Sequence, residues 1–430
     1  MTTTADQQLT IPEHRIPEEA HRVLTFLEER GAFHFPTLNT GLFSAAAGTG
    51  VDFERTGYRS VWVRDNVHIA HAHWVWGERD KAALAMSSLM RFFVKHRHRL
   101  DDAIRGRTSP NELMRRPHIR FDGERLEELP EKWSHAQNDA LGAFLWLYSK
   151  MARDGAVSHA PKERQILAEF VEFFRRIRFW EDEDSGHWEE IRKISASSIG
   201  VATVGLKAYR SWLLSPLAET SKPDGRGADE LIQQGTKQLQ SILPWECRQN
   251  DLTQMRRYDA ALLFLIYPYQ IVVGSEAETI ANDVTSQLMG EYGIRRYLGD
   301  SYWCADYKQK MAADQRTADF SDNLAERNRL LQPGLEAQWC LFDPILSIHY
   351  GIRFGTHAES HDRQRQLLHL RRALCQLTGA NSRFGAYRCP ESYYSECGVY
   401  VPNDICPLLW TQANLKLALL MASGQCVTIN

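Results

Sequence analysis

The chain has 430 residues, of which 43% are apolar, 24% charged and 10% aromatic, a composition that excludes a disordered, collagen-like or low-complexity protein and implies a sizeable core. Fifty-one Lys and Arg against 54 Asp and Glu leave a net charge of −3. No electrostatic footprint therefore points to nucleic acid or an anionic membrane as partner, and a polyanionic ligand is not expected.

The opening stretch MTTTADQQLTIPEHR has neither a basic n-region nor an apolar h-region, so a secretory signal is not expected. The longest strongly apolar run, Ala260 to Tyr267, is broken by Pro268 and falls far short of the about 20 residues that span a bilayer. A cytoplasmic protein without a membrane segment is the expectation. All eight cysteines (247, 304, 340, 375, 389, 397, 406 and 426) lie in the second half without a C-x-x-C pair or a close Cys/His cluster, and they read as reduced thiols.

In chain order, apolar residues recur at helical spacing near Pro17 to Arg30, Asn66 to Trp76, Asp80 to Leu100, Ala136 to Ala152, Pro161 to Arg178 and Ser197 to Leu214. The second half repeats the pattern at Asp229 to Leu243, Asp259 to Tyr267, Glu276 to Gly290, Glu336 to Phe354, Ser360 to Leu377 and Leu409 to Ala422. Sustained period-two alternation bounded by hairpin turns is hard to find. Segments such as SSIGVATVGLKAY and DAALLFLIYP are apolar nearly all round, whereas ADELIQQGTKQLQSIL and HDRQRQLLHLRRALCQL are polar on one face. Buried helices alternating with amphipathic ones imply an all-α toroid of six helical hairpins, and the lack of a fixed-period repeat disfavours an open solenoid. No Gly/Ser- or Pro-rich linker divides the chain, and 221 to 230 reads as a surface loop. Residues 1 to 16 form a polar tail, and residues 17 to 430 form one domain.

Twelve Trp and 15 Tyr are many for one chain. Several stand beside polar residues: Trp62 before Arg64 and Asp65, Trp133 before His135, and Trp188 before Glu189 and Glu190. That combination suits sugars, whose C–H faces stack on aromatics while their hydroxyls take carboxylates and guanidinium groups. His68, His71 and His73 invite a metal, but only the first two share a helical face and no carboxylate or Cys follows at ligand spacing. No G-x-S-x-G elbow or phosphate loop is found either. Paired carboxylates remain. An adjacent like charge and the Trp188 indole raise the pKa of Glu189 or Glu190, which makes a general acid. Glu391 in RCPESYYSECG, with Glu396 as a substitute, is the candidate base. Two carboxyls about 6.5 to 9.5 Å apart across a sugar site would invert the anomeric configuration.

Four blocks then carry a family resemblance: YRSVWVRDN at 58–66, KWSHAQNDALGAFLW at 132–146, HWEE with SASSIGVATVGL at 187–206, and CPESYY with LLWTQANLKLALLMA at 389–422. In order and spacing they resemble glycoside hydrolase family 15, the glucoamylases, and its branch similar to the α and β subunits of phosphorylase kinase. The resemblance implies an (α/α)6 barrel, without the N-terminal β-sandwich that bacterial glucoamylases carry, and a pocket where the inner helices begin. By matching motifs it implies Glu189 as acid and Glu391 as base. Arg64, Asp65, Trp133, Gln137, Asp139, Trp188, Glu190, Arg296 and Tyr297 are then substrate-binding, with Asp300 shaping the Arg-Tyr loop. The activity implied is an inverting exo-hydrolase that releases β-glucose from a short isomalto- or malto-type oligosaccharide, with no metal or organic cofactor. The alternatives are a non-catalytic glucan-sensing or regulatory protein and a hydrolase of another α-glucoside such as trehalose.

Overall fold

A regular apolar stripe organises the helices that face solvent on one side. Helix α1 (Ile16–Glu29), opened by Pro17 at its first turn, buries Ile16, Ala20, Val23, Leu24 and Leu27, the spacing of a single helical face. Helices α3 (Arg79–Lys95), α5 (Pro161–Ile177), α7 (Arg226–Ile242), α9 (Gly274–Gln287) and α11 (Ser360–Cys375) follow the same rule. Between them run helices with almost no exposed face: α2 (Val63–Val75), α4 (Asn138–Arg153), α6 (Ala196–Leu213), α8 (Leu263–Ile266, continuing a 3-10 turn from Ala260) and α12 (Leu409–Ala422). In α10 (Phe342–His357) the first nine residues are buried. The computed structural model that gives this arrangement describes residues 7–425 apart from 219–225 and 253.

The inner helices close a ring. Each packs on the next, α2 on α4, α4 on α6, α6 on α8, α8 on α10 and α10 on α12, and α12 returns to α2. The outer helices pack against them from outside, so the chain forms the all-α (α/α)6 barrel expected. The approach of α4 to α6 is set by glycine: a Cβ on Gly142 would lie 2.6 Å from the Ala202 backbone, and one on Gly205 would lie 2.6 Å from the Gly142 carbonyl. Residues 7–15 lie against this body, where the Arg371 guanidinium donates to the Ile11 carbonyl at 2.7 and 3.0 Å.

Boundaries differ from the periodic reading in instructive places. The segment read as one helix to Leu100 breaks at His96 and Arg97 before a short helix, His98–Ile104. The helix read from Glu336 begins only at Phe342, because Gln338 and Trp339 are extended. The loop read over 221–230 is helical from Arg226, and its earlier residues, like Cys426, lie outside the described part. Two small antiparallel sheets were not anticipated. One joins β1 (Val61–Trp62), β2 (Arg120–Asp122) and β3 (Glu127–Glu128); the other joins β4 (Gln338–Trp339), β5 (Ser392–Glu396) and β6 (Val399–Pro402). Cys397 and Gly398, both at positive φ (50° and 78°), make the tight turn that twists β5 back onto β6.

These sheets matter for what they hold. The first delivers Trp62 to the start of α2, and the second places Glu391 immediately before β5, where the Cys340 amide donates to its carbonyl at 3.0 Å. No described helix is long and apolar enough to cross a membrane.

Candidate active site

Where the inner helices begin, their first residues and the preceding loops converge on a cavity of about 90 Å³. Arg64 and Asp65 come from the start of α2, Trp188 and Glu189 from the loop before α6, Leu341 from the entry to α10, and Leu408 and Trp410 from the entry to α12. Glu391, Trp133 and Arg296 complete the set named from the sequence that lines this cavity. Gln137, Asp139, Glu190 and Tyr297 do not line it. They stand behind it: Gln137 and Asp139 accept from Arg64, Glu190 accepts from Arg296, and Tyr297 donates to Glu190.

Glu189 is held in an unusual backbone. Gly186 to Trp188 form one 3-10 turn, and Glu189 closes it in the left-handed region with φ 59° and ψ 39°. A side chain at such an angle costs roughly 1–3 kcal/mol and persists only where its surroundings over-determine it. Here they do: Trp62 Nε1 donates to Oε1 at 3.0 Å and Arg64 Nη2 donates to the same oxygen at 3.2 Å. Trp188 is fixed by its own indole N–H, which donates to Asp259 at 2.8 Å. Burial raises the Glu189 pKa, against the pull of Arg64 and Gln137.

Its neighbour has the opposite fate. The Glu190 carboxylate is buried and faces away from the cavity, receiving Arg296 Nη2 at 2.9 Å, the Tyr297 hydroxyl and the Arg327 guanidinium. Although burial opposes it, Arg296 and Arg327, assisted by Arg256, hold Glu190 down at about 2. Arg296 is also clamped by both oxygens of Asp300 at 2.6 and 2.7 Å and lies about 5 Å from the Trp188, Tyr302 and Trp339 rings, a cation–π cage that aims it at the cavity.

Arg64 is anchored in the same manner, with Nη1 donating to Asp139 at 2.7 Å and Gln137 at 3.1 Å. Asp65 lines the cavity, and burial pushes its carboxyl up to about 7 despite the adjacent Arg64. Glu391 has one donor on each oxygen, the Tyr58 hydroxyl on Oε1 at 2.8 Å and Asn403 Nδ2 on Oε2 at 2.6 Å. Burial still pushes it up to about 7, with those two bonds pulling against it. Of the three raised carboxyls, Glu189 and Glu391 are joined by a pair of rings: Trp62 touches Glu189, Tyr58 touches Glu391, and the ring centroids are 5.1 Å apart.

Tyr58, Tyr302, Arg327 and Asn403 were not among the residues singled out for this site, and Trp62 was named only as one of the aromatics that suit sugars. Tyr58 and Trp62 were within reach, since both fall in the YRSVWVRDN block. Arg327 was not, being 137 positions from Glu190. The three histidines of α2 are packed among aromatics: His68 stacks on Trp410 at 4.2 Å, His71 lies 5.0 Å from Trp146, and His73 bonds the Ile69 carbonyl. Among the described residues, one group of metal-type ligands comes together, Glu359, His361 and Asp362 at the start of α11, and none of them lines the cavity.

Known proteins resemble this chain at both levels. The family model for glycosyl hydrolases family 15 matches residues 30–222. A probable phosphorylase b kinase regulatory subunit alpha from Caenorhabditis elegans is 27% identical over 279 residues, 56% of this chain and 21% of that one. The chain spans between 21% and 30% of the length of the curated relatives it matches. A glycosidase variant solved in complex with glucose superposes with TM-score 0.63 and 16% identity, over 96% of this chain and 98% of that one. The glucoamylase of Saccharomycopsis fibuligera superposes with TM-score 0.59 and 11% identity, over 99% of each. In sequence over residues 30–222 and in fold over nearly its whole length, the chain resembles the glucoamylases of glycoside hydrolase family 15.

Proposed function

We propose that the chain is a glycoside hydrolase that removes glucose from the non-reducing end of a short α-glucoside with inversion. One observation carries the reading: two carboxyls with raised pKa, Glu189 and Glu391, line one small cavity among aromatic rings and two anchored arginines. Environments that raise carboxyls above their ordinary range are what general acid and base work at neutral pH needs.

In this mechanism Glu189 protonates the glycosidic oxygen. Trp62 and Arg64 both donate to its Oε1 and fix the carboxyl toward the cavity. Glu391 takes a proton from water on the opposite ring face while Tyr58 and Asn403 keep its carboxylate oriented. Inversion further requires the two carboxyls to stand about 6.5–9.5 Å apart, which leaves room for that water, rather than the about 5–5.5 Å of direct attack by Glu391. Asp65, Arg64 and Arg296 bind the hydroxyls of the terminal glucose, and Trp133 and Trp188 wall the ring. Gln137, Asp139, Glu190 and Tyr297 act through the arginines, fixing their direction.

A second reading has its own support. The relatives found by sequence are regulatory subunits, so a barrel that binds glucan and signals to a partner without turnover is the rival. Proton NMR of the protein with maltose, isomaltose, kojibiose, nigerose, trehalose and longer oligomers separates the two. β-Glucose as the first product is expected, and Glu189→Gln and Glu391→Gln each abolish it. Binding without turnover across the panel would favour the regulatory reading, and α-glucose first would reject inversion.

A further inference from the structure

A long segment between Asp300 and Glu336 contains only two short helices, Tyr307–Lys310 and Leu324–Asn328. Thr317, Ala318 and Asp319 from this segment reach the cavity wall, outside every block that resembles the family. They are fixed there. The Thr317 hydroxyl donates to the Thr56 carbonyl at 2.9 Å, the Tyr307 hydroxyl donates to the Arg316 carbonyl at 3.0 Å, and Arg316 itself bonds the Lys308 carbonyl at 3.1 Å. Lys132, next to the wall residue Trp133, pairs with Asp322 at 2.6 Å. The segment is a built wall tied to the body at both sides.

Asp319 is the residue in it with unused capacity. Its side chain is 3% exposed, and Oδ1 accepts the Ser321 amide at 2.8 Å. Oδ2 is buried without a hydrogen-bond donor, and its nearest cation is Lys132 Nζ at 4.0 Å. A buried carboxylate oxygen without a donor is costly, and a ligand that supplies one relieves that cost. The position says which part of a ligand this is. Arg64, Asp65 and Trp410 sit at the starts of inner helices, whereas Asp319 belongs to the long segment outside them and adjoins Lys132, which is half exposed to solvent.

The geometry points to Asp319 as a specificity residue for the leaving group: its Oδ2 accepts a hydrogen bond from a hydroxyl of the sugar that departs, not of the glucose that is released. The inference rests on the hydrolase reading above for the direction in which substrate enters. It deepens that reading by naming a polyhydroxylated leaving group, a second sugar, as the preferred aglycone over an apolar one.

The test compares wild type, Asp319→Ala and Asp319→Asn on the best disaccharide of the panel and on α-glucosyl fluoride, whose leaving group is a single atom. Loss of a hydrogen bond to a charged acceptor predicts a fall in kcat/KM of about tenfold or more for Asp319→Ala on the disaccharide. Fluoride hydrolysis should stay within about twofold, which also shows that the variant folds, and Asp319→Asn should lie between. Equal losses on both substrates, or no loss on either, overturn the assignment. A parallel calorimetric titration in the Glu189→Gln background keeps this outcome apart from failure of the hydrolase reading. There Asp319→Ala should weaken disaccharide binding by a similar factor and leave glucose binding unchanged, whether or not wild type turns substrate over. Equal weakening for both sugars, or none, overturns the proposal, whereas absence of wild-type hydrolysis overturns only the reading beneath it.

Discussion

Replacing Tyr58 by Phe removes the hydroxyl that donates to Glu391 Oε1 at 2.8 Å and leaves the ring that packs on Trp62. That bond favours the ionised carboxylate, so its loss raises the Glu391 pKa from a starting value of about 7. A hydrogen bond to a charged acceptor is worth about 1.5–3 kcal/mol, and about 1.4 kcal/mol corresponds to one pKa unit. The Tyr302 hydroxyl stands 3.3 Å from that of Tyr58, close enough to replace part of the interaction, so the lower end applies and a rise of about one unit is expected. The base works only when ionised. At pH 6 a rise from about 7 to about 8 reduces its ionised fraction roughly tenfold, and at pH 9 it hardly changes the fraction. The ratio of variant to wild-type kcat/KM, measured from initial glucose release between pH 5 and 9, should therefore climb from about 0.1 toward one. A ratio that is flat with pH, or that falls toward alkaline pH, would refute the role given to Tyr58 and with it Glu391 as base.

The companion change at the acid runs the other way. Trp62→Phe removes the indole donor to Glu189, raises its pKa and keeps it protonated to higher pH, so the alkaline limb of kcat/KM should move up; a downward move would contradict Glu189 as acid. Glu391→Gln should stabilise the fold at pH 8. A carboxyl raised from 4.5 to about 7 costs nothing below pH 4.5, loses stability progressively between the two values and carries the full cost, at most about 3 kcal/mol, above pH 7. The gain in Tm should be clear at pH 8 and absent at pH 4, and a gain independent of pH would show that another cause is at work. Glu190→Gln should destabilise by about 3–5 kcal/mol, because it leaves Arg296 and Arg327 buried without their shared anion. Its Tm should fall by several degrees and KM should rise as Arg296 loses its aim, and a Tm unchanged from wild type would remove Glu190 from its anchoring role.

How far the sequence could be read depended on the range of the interaction. Helices announce themselves locally, and Leu409 to Ala422 was delimited to the residue because an apolar run there meets a Pro before it and Ser-Gly after it. The extended segments are two to five residues long, too short for alternation to rise above chance, and the Gln338–Trp339 strand disappeared into a helical pattern. Arg64, Asp65, Glu189 and Glu391 were legible because each lies in a block whose order could be compared with a family. Tyr58 was in such a block, but nothing local says that its hydroxyl meets a carboxylate 333 positions away. Arg327 and Asp319 lie in a segment with neither periodicity nor a motif, and only the folded chain brings them to the cavity. The expectation that one member of the Glu189–Glu190 pair would be raised had the right outcome for Glu189, but the lever is burial and not the adjacent like charge, and three arginines lower Glu190.

That split bears on whether the barrel hydrolyses or merely binds. Two buried carboxyls of this region are treated oppositely: Glu190 has two guanidinium groups and a phenol and is held at about 2, whereas Glu391 has only neutral hydrogen-bond donors and rests near 7. A carboxyl left without a cation is ready to exchange a proton at neutral pH, as general acid and base work requires. If the regulatory reading held and the barrel never turned over, Glu391→Gln would raise stability at pH 8 without changing sugar affinity. If the hydrolase reading holds, the same variant should gain stability and lose turnover together, and the two measurements on one protein decide between them.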